Sequence, residues 1–455
     1  MVSGIMKKFN KDKYLRKLKL KRYWQNNSRY FYIGIPCLLV GILGIYFAYS
    51  KFFVSEEQAV IKTTVGDFIH GDVVIGAYID SEYSNTIPGK NDGYVVDKVS
   101  CDNGAVGKWN NDSWGIVLTN LSKRTKCNVY FKKLVSKVPD IIAQLDTSRK
   151  CPTMNADGSV NVTKVEATDG YLCKAKDAYG DSYYYRGNVT NNYVEFAGFY
   201  WRIVRINGDG TVRVIYDGTS AHANGEASED RQIGKSAFNS SYNDNAYVGY
   251  MYGQTGASTY ATAHANTNNS TIKTYIDNWY KTNIVGTTNE QYLADNVFCN
   301  DRSMSSGTGT GTSETLYRWD YGPWEIYGKH NKNMLLTCSQ KNDAFTVSDT
   351  TNGNGALTYP VSLLSTDEIV LAGGWNEANS GYYLYSGQYW WTSSSYRFNG
   401  SYAGVRSVAS DRFADSHINY VVRDSGVRPV FNLKAEVLTQ GSGTASDPYR
   451  ISMTS

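Results

Sequence analysis

WWTSSS (390–395) and GVRPVFNL (426–433) decide how the C-terminal half of this chain is read. Trp390, Trp391, Val427, Val430 and Phe431 are apolar enough to fix both segments in a core. The residues between them, SYRFNGSYAGVRSVASDRFADSHINYVVRDS (395–425), keep no sustained helical or strand period, so this stretch is expected to loop outward. Working upstream, YVEFAGFYWRIVRINGDGTVRVIYDG (193–218) alternates as strands do, and Asn207-Gly208-Asp209-Gly210 supplies a hairpin turn. A polar stretch follows (219–269). Ile272, Tyr275, Ile276, Trp279 and Tyr280 then share one helical face, with Ser270 as the cap. A shorter helix is expected from Ser365, with Glu368 completing a capping box and Gly373-Gly374 ending it. SMSSGTGTGTSE (303–314) reads as a mobile low-complexity loop between two cysteines.

An aromatic strand pair around Trp201, then WWTSSS, then about thirty irregular residues and GVRPVFNL, resembles bacterial exported domains related to the C-type-lectin fold. That group includes the formylglycine-generating-enzyme-like domains. The resemblance covers roughly 182–440 and implies that the two closing strands pair in the core. It implies three functions, each checked against residues. The oxidase branch needs a reactive cysteine pair late in the domain, and no cysteine follows Cys338. The calcium-lectin branch uses Glu-Pro-Asn or Gln-Pro-Asp with a later Trp-Asn-Asp; Trp375-Asn376-Glu377 is the nearest approach. The third branch, target proteins of diversity-generating retroelements, binds ligands through the variable segment between the two strands. Here the resemblance points to Tyr396, Arg397, Phe398, Tyr402, Arg406, Arg412, Phe413, His417 and Tyr420. Aromatics and arginines of this kind dominate binding hot spots.

Ten basic residues and one acid stand in the first thirty, ahead of YIGIPCLLVGILGIYFAYSKFFV (32–54). That run, at about 1.5 Å per residue, is long enough for a hydrocarbon core of about 30 Å. The positive-inside rule then predicts a single-pass cell-membrane protein, with a cytoplasmic amino end and extracellular C-terminal domains. Without the basic tail the chain is mildly acidic and has no basic stripe, which argues against a nucleic-acid partner.

Residues 55–135 read as a small all-β sandwich with strands near 59–65, 73–79, 94–101, 114–120 and 126–133. Residues 136–181 read as a linker, with a short helix around Pro139 and a disulfide. Six cysteines follow the apolar run, and neighbours in sequence are the expected pairs: Cys101–Cys127, Cys151–Cys173 and Cys299–Cys338. The first pair is expected to staple two sheets.

No metalloprotease, hydrolase-elbow or phosphate-loop motif is present, and Gly234-Lys235-Ser236 lacks the upstream glycine. His222 and His264 each sit in Ala-His-Ala-Asn, an echo too slight to assign a metal. The sequence therefore predicts an α+β protein with a single N-terminal transmembrane helix, a β-sandwich and a C-type-lectin-like domain (182–455). Its expected function is adhesion or recognition of a protein or glycan through 395–425, with no cofactor. A cell-envelope enzyme built on the lectin-like domain is the alternative. Tyr is unusually abundant, at 38 against 15 Phe, which suits a contact surface as well as it suits half-buried strands.

Overall fold

The computed structural model describes residues 15–23, 73–90, 92–111, 113–120, 125–148, 150–162, 169–318, 333–374, 379, 381–409 and 419–451. The chain divides into two compact units, 1–133 and 134–453.

In the first unit, β1 (Val73–Ile79), β2 (Glu82–Ser84), β3 (Tyr94–Cys101) and β6 (Thr125–Lys133) form one sheet in the order β2-β1-β6-β3. β1 and β6 run parallel; the other pairs are antiparallel. β4 (Val106–Asn110) and β5 (Gly115–Thr119) make a separate hairpin. Its Trp109 and the turn residue Trp114 pack edge-on at 5.3 Å, and Trp109 meets Phe131 of β6 at 5.4 Å. Ala77, Val96 and Val129 complete that core. The approach is close: a Cβ on Gly107 would lie 2.6 Å from Val99 Cγ1. The hairpin therefore covers one face of the sheet. Cys101 and Cys127 are bonded, but they are register partners on adjacent strands, so the bridge lies within one sheet and does not join two. The strand expected at 59–65 lies outside the described residues.

The second unit holds two large sheets. One is antiparallel throughout. Its order is 293–294, 430–433, 212–218, 199–206, 180–187 and 170–177, with 193–196 on 199–206 and 361–362 on 430–433. The other runs 235–237, 424–426, 390–398, 315–317 and 304–306, with 403–408 added to 390–398 and 419–420 added to 403–408. Trp201, Trp390, Trp391 and Phe431 are fully buried, and Trp201 meets Phe431 at 4.1 Å between ring centroids. The two closing strands join by a single parallel bridge, Trp390 with Gly426; Val430–Leu433 belongs to the other sheet.

Local signals explain most elements. Ser270 Oγ accepts from Lys273 N at the start of helix Thr271–Asn283, whose Trp279 packs on Phe199 and Trp201. Ser365 and Glu368 form the expected capping box, and Gly373, at φ +111°, ends that helix. The described part of 136–181, expected as a linker, is built into this unit. Gly170–Asp177 pairs along its whole length with Gly180–Gly187, and Cys151–Cys173 ties the approach to it.

Buried arginines hold the second unit together. Asp217 accepts from Arg231 Nε at 2.8 Å and Arg428 Nη2 at 2.7 Å. Arg428 is the arginine of GVRPVFNL, and it also donates to the Leu384 and Tyr216 carbonyls. A second cluster joins Glu368 to Arg213 at 2.7 Å and to Arg205 at 3.2 Å, with Asp177 also on Arg205. Burial raises the Glu368 carboxyl pKa, but Arg213 and Arg205 outweigh it and bring the value down to about 2.

The described residues are 37% strand and 16% helix, a mix of α and β weighted toward sheet that is roughly as expected. Two expectations are corrected. The expected transmembrane anchor and single-pass cell-membrane placement find no support: among the described residues no helix is long and apolar enough to cross a membrane. The run 32–54 lies outside the described residues, and the helix described before it, 15–23, is short and largely exposed.

Candidate ligand-binding face

The described residues of 395–425 are mostly strand, with turns between, rather than an outward loop. Trp390–Phe398 and Ala403–Val408 are antiparallel partners, joined by a tight turn. Asn399 Oδ1 accepts from Ser401 N and Tyr402 N, and Gly400 takes φ +85°. Asn399-Gly400 is a strong hairpin signal that the irregular flanking pattern obscured. Burial sorts the expected binding residues. Phe398 and Arg406 are buried, so neither offers a contact surface. Tyr396 and Arg397 are half-buried, and the Tyr396 ring covers the Arg406 guanidinium at 4.1 Å. Tyr402 is 40% exposed and Tyr420 half-buried. Arg412, Phe413 and His417 lie outside the described residues.

What converges is a column of rings. Tyr402, at the hairpin turn, stacks on Tyr242 with centroids 4.8 Å apart and planes 17° from parallel. Tyr420 also meets Tyr402, with centroids 4.7 Å apart and planes tilted by 41°. Arg423 covers the Tyr420 ring at 5.5 Å. Tyr242 is 39% exposed, and its carbonyl accepts from Ala403 N at 2.7 Å, which pins it beside the hairpin. Sequence reading missed Tyr242 because it belongs to the polar stretch 219–269, where no period marks a face. The three hydroxyls make no hydrogen bond among the described residues.

Arg423 also lines a cleft of about 350 Å³, together with Lys235, Gln388, Tyr389, Asn419 and Asp424. Asn419 is held from below by Nδ2 to Ser407 Oγ, at 3.0 Å. Lys235 is offset by Glu229 at 3.1 Å, a mostly exposed pair. The cleft thus offers a guanidinium, an ammonium, amides and one carboxylate next to the ring column.

The two histidines of the Ala-His-Ala-Asn echo serve different structural ends. His222 places one ring nitrogen 2.8 Å from Glu226 and the other 3.0 Å from Asp230, so neither nitrogen is left for a substrate. The His222 hydrogen bond keeps the Glu226 carboxyl below its ordinary range, with burial opposing it. His264 is buried, and its Nε2 faces the Gly309 carbonyl at 3.0 Å. Burial, then the Arg302 charge, pushes its pKa down to about 3, so the ring is neutral and donates that hydrogen bond. Asn245 Nδ2 donates to the carbonyls of Thr310, Gly311 and Ser313. The glycine-threonine loop, expected to be mobile, is therefore clamped from inside. Among the described residues no three His, Cys, Asp or Glu side chains gather as a metal site.

No family model, no curated protein and no solved structure matches this chain.

Proposed function

We propose that this chain is a recognition protein that holds a protein or glycan ligand on the Tyr242–Tyr402–Tyr420 column and the adjoining Arg423 cleft. The observation that carries it is the continuity of the column with the cleft through Arg423. Tyr and Arg contribute large contact area at low entropic cost, and asparagine and serine supply adaptable hydrogen bonds around them. Rigid strands on both sides of the hairpin pre-organise the rings, which lowers the cost of binding. Kinship with the exported C-type-lectin-fold group belongs to the same proposal. It is supported by the buried WWTSSS strand, its bridge to Gly426 and the structural use of Arg428. Alanine scanning across 396–423, read as retention on a panel of immobilised glycans and extracellular proteins, tests the reading. Losses should concentrate at Tyr402, Tyr420 and Arg423. Phe398→Ala should lower retention only in proportion to the fraction unfolded. Losses spread evenly, or centred on Tyr396 and Arg397, would move the site.

A further inference from the structure

The first unit carries a second aromatic row, independent of the one above. β1, β2, β3 and β6 have one face covered by the β4–β5 hairpin. Strand alternation puts Tyr78, Tyr83, Tyr130 and Lys98 on the opposite face. They are register partners in turn: Tyr83 with Tyr78, Tyr78 with Tyr130, and Tyr130 with Lys98. The row therefore crosses all four strands, about 14 Å at the usual spacing between strands. Tyr78 stacks on Tyr130 at 4.8 Å. Tyr83, 53% exposed, stands edge-on to Tyr78 at 5.7 Å. Lys98 Nζ lies 4.6 Å from the Tyr130 centroid.

Three lysines stand on this face. Lys126 stands four residues before Tyr130 on β6 and Lys132 two after it, so both share its face, and both are exposed like Lys98. Their partners across the sheet are Val74 and Val95, and Ser100 pairs with Asn128. Two carboxylates lie beside the lysines and leave the excess positive: Asp97, exposed at the bulge between Val96 and Lys98, and Asp102, whose Oδ1 accepts from Lys126 N at 2.6 Å. Asn128 lies over Gly76, and its Oδ1 has no hydrogen-bond partner among the described residues.

We infer that this open face binds an acidic polysaccharide chain, one bearing carboxylates along its length. A flat row without an anchoring pocket suits an extended polymer better than a folded protein, whose hot spots need enclosed sites. The exposed Tyr83 ring can meet sugar C–H groups. The Tyr78 and Tyr130 hydroxyls, which make no hydrogen bond among the described residues, can meet sugar hydroxyls. The three ammonium groups pair with carboxylates through charge-assisted hydrogen bonds. The three disulfides fit maturation under oxidising conditions.

Lysine acetylation of the full chain, mapped by mass spectrometry with and without polygalacturonate, tests this at single residues. The basic N-terminal stretch also attracts polyanions, and site-by-site reading separates its response. Lys98, Lys126 and Lys132 should be protected several-fold, while Lys90 and Lys108, off this face, keep their rates. Single-stranded oligothymidylate should not protect the three. Tyr78→Ala/Tyr130→Ala, checked for a native melt and an intact Cys101–Cys127 bond, should abolish the protection; should that variant unfold, Tyr83→Ala, at the exposed end of the row, should weaken it. Unchanged acetylation of the three lysines with polygalacturonate, equal protection by oligothymidylate, or full protection in a folded tyrosine variant would each overturn the inference.

Discussion

Tyr402 stacks nearly parallel on Tyr242, although one comes from a hairpin turn and the other from the polar stretch before the long helix. A hydrogen bond from Ala403 N to the Tyr242 carbonyl fixes their spacing. Ring pairs of this geometry contribute about 0.5–1.5 kcal/mol beyond area burial. Tyr242→Ala is therefore expected to cost stability in that small range while also weakening binding. Chemical denaturation measures the first and retention on the ligand panel the second. A large stability loss would mean that Tyr242 holds the core rather than the face.

Acid should unfold this protein through a few buried groups. Glu368 has its folded pKa depressed to about 2 from 4.5. Its stabilising contribution is complete above 4.5 and is lost as pH falls toward 2. Glu368→Gln leaves Arg205 with Asp177 and Arg213 with no carboxylate in contact among the described residues, a change expected to cost about 3–5 kcal/mol. The melt of the variant near neutral pH should fall accordingly, and its stability should change less between pH 4.5 and 2.

His264 acts in a higher window. Its folded pKa lies near 3 against 6.5 for the free side chain. Below 6.5 the unfolded chain takes up a proton that the native ring refuses, so stability declines from pH 6.5 down to about 3 and levels off beneath that. His264→Gln should flatten this limb of the stability profile. An unchanged limb would show that other groups dominate it.

The clamp on the glycine-threonine loop gives a contrast between two variants. Cys299 and Cys338 are bonded, and removing a native bridge typically costs about 2–5 kcal/mol. The loop 307–313 is nevertheless held by Asn245 and His264. Cys299→Ala/Cys338→Ala should lower the melt yet keep slow amide exchange in that loop. Asn245→Ala should speed exchange there.

Legibility in the sequence followed the range of the interaction. The 207–210 hairpin, the Ser270 and Ser365 caps and the three disulfide pairs are set by neighbours and could be read directly. The Asn399-Gly400 turn is equally local, but the irregular pattern of the residues flanking it masks the hairpin. Burial of Arg406, Arg428 and Phe398 could not be read, because arginine and phenylalanine serve cores and binding faces alike. Only distant partners such as Asp217 decide between them. Tyr242 and the row Tyr83–Tyr78–Tyr130 became visible only once strand register placed them side by side.

Side-by-side retention of the wild-type full chain and the Tyr402→Ala/Tyr420→Ala/Arg423→Ala variant on the immobilised panel tests the binding face most directly. The expected result is a ligand held by the wild type and lost by about thirtyfold or more in the variant, the equivalent of one hot spot of about 2 kcal/mol, with the melt close to native. Equal retention by a natively folded variant, or no retention of the wild type on any surface, would contradict the assignment.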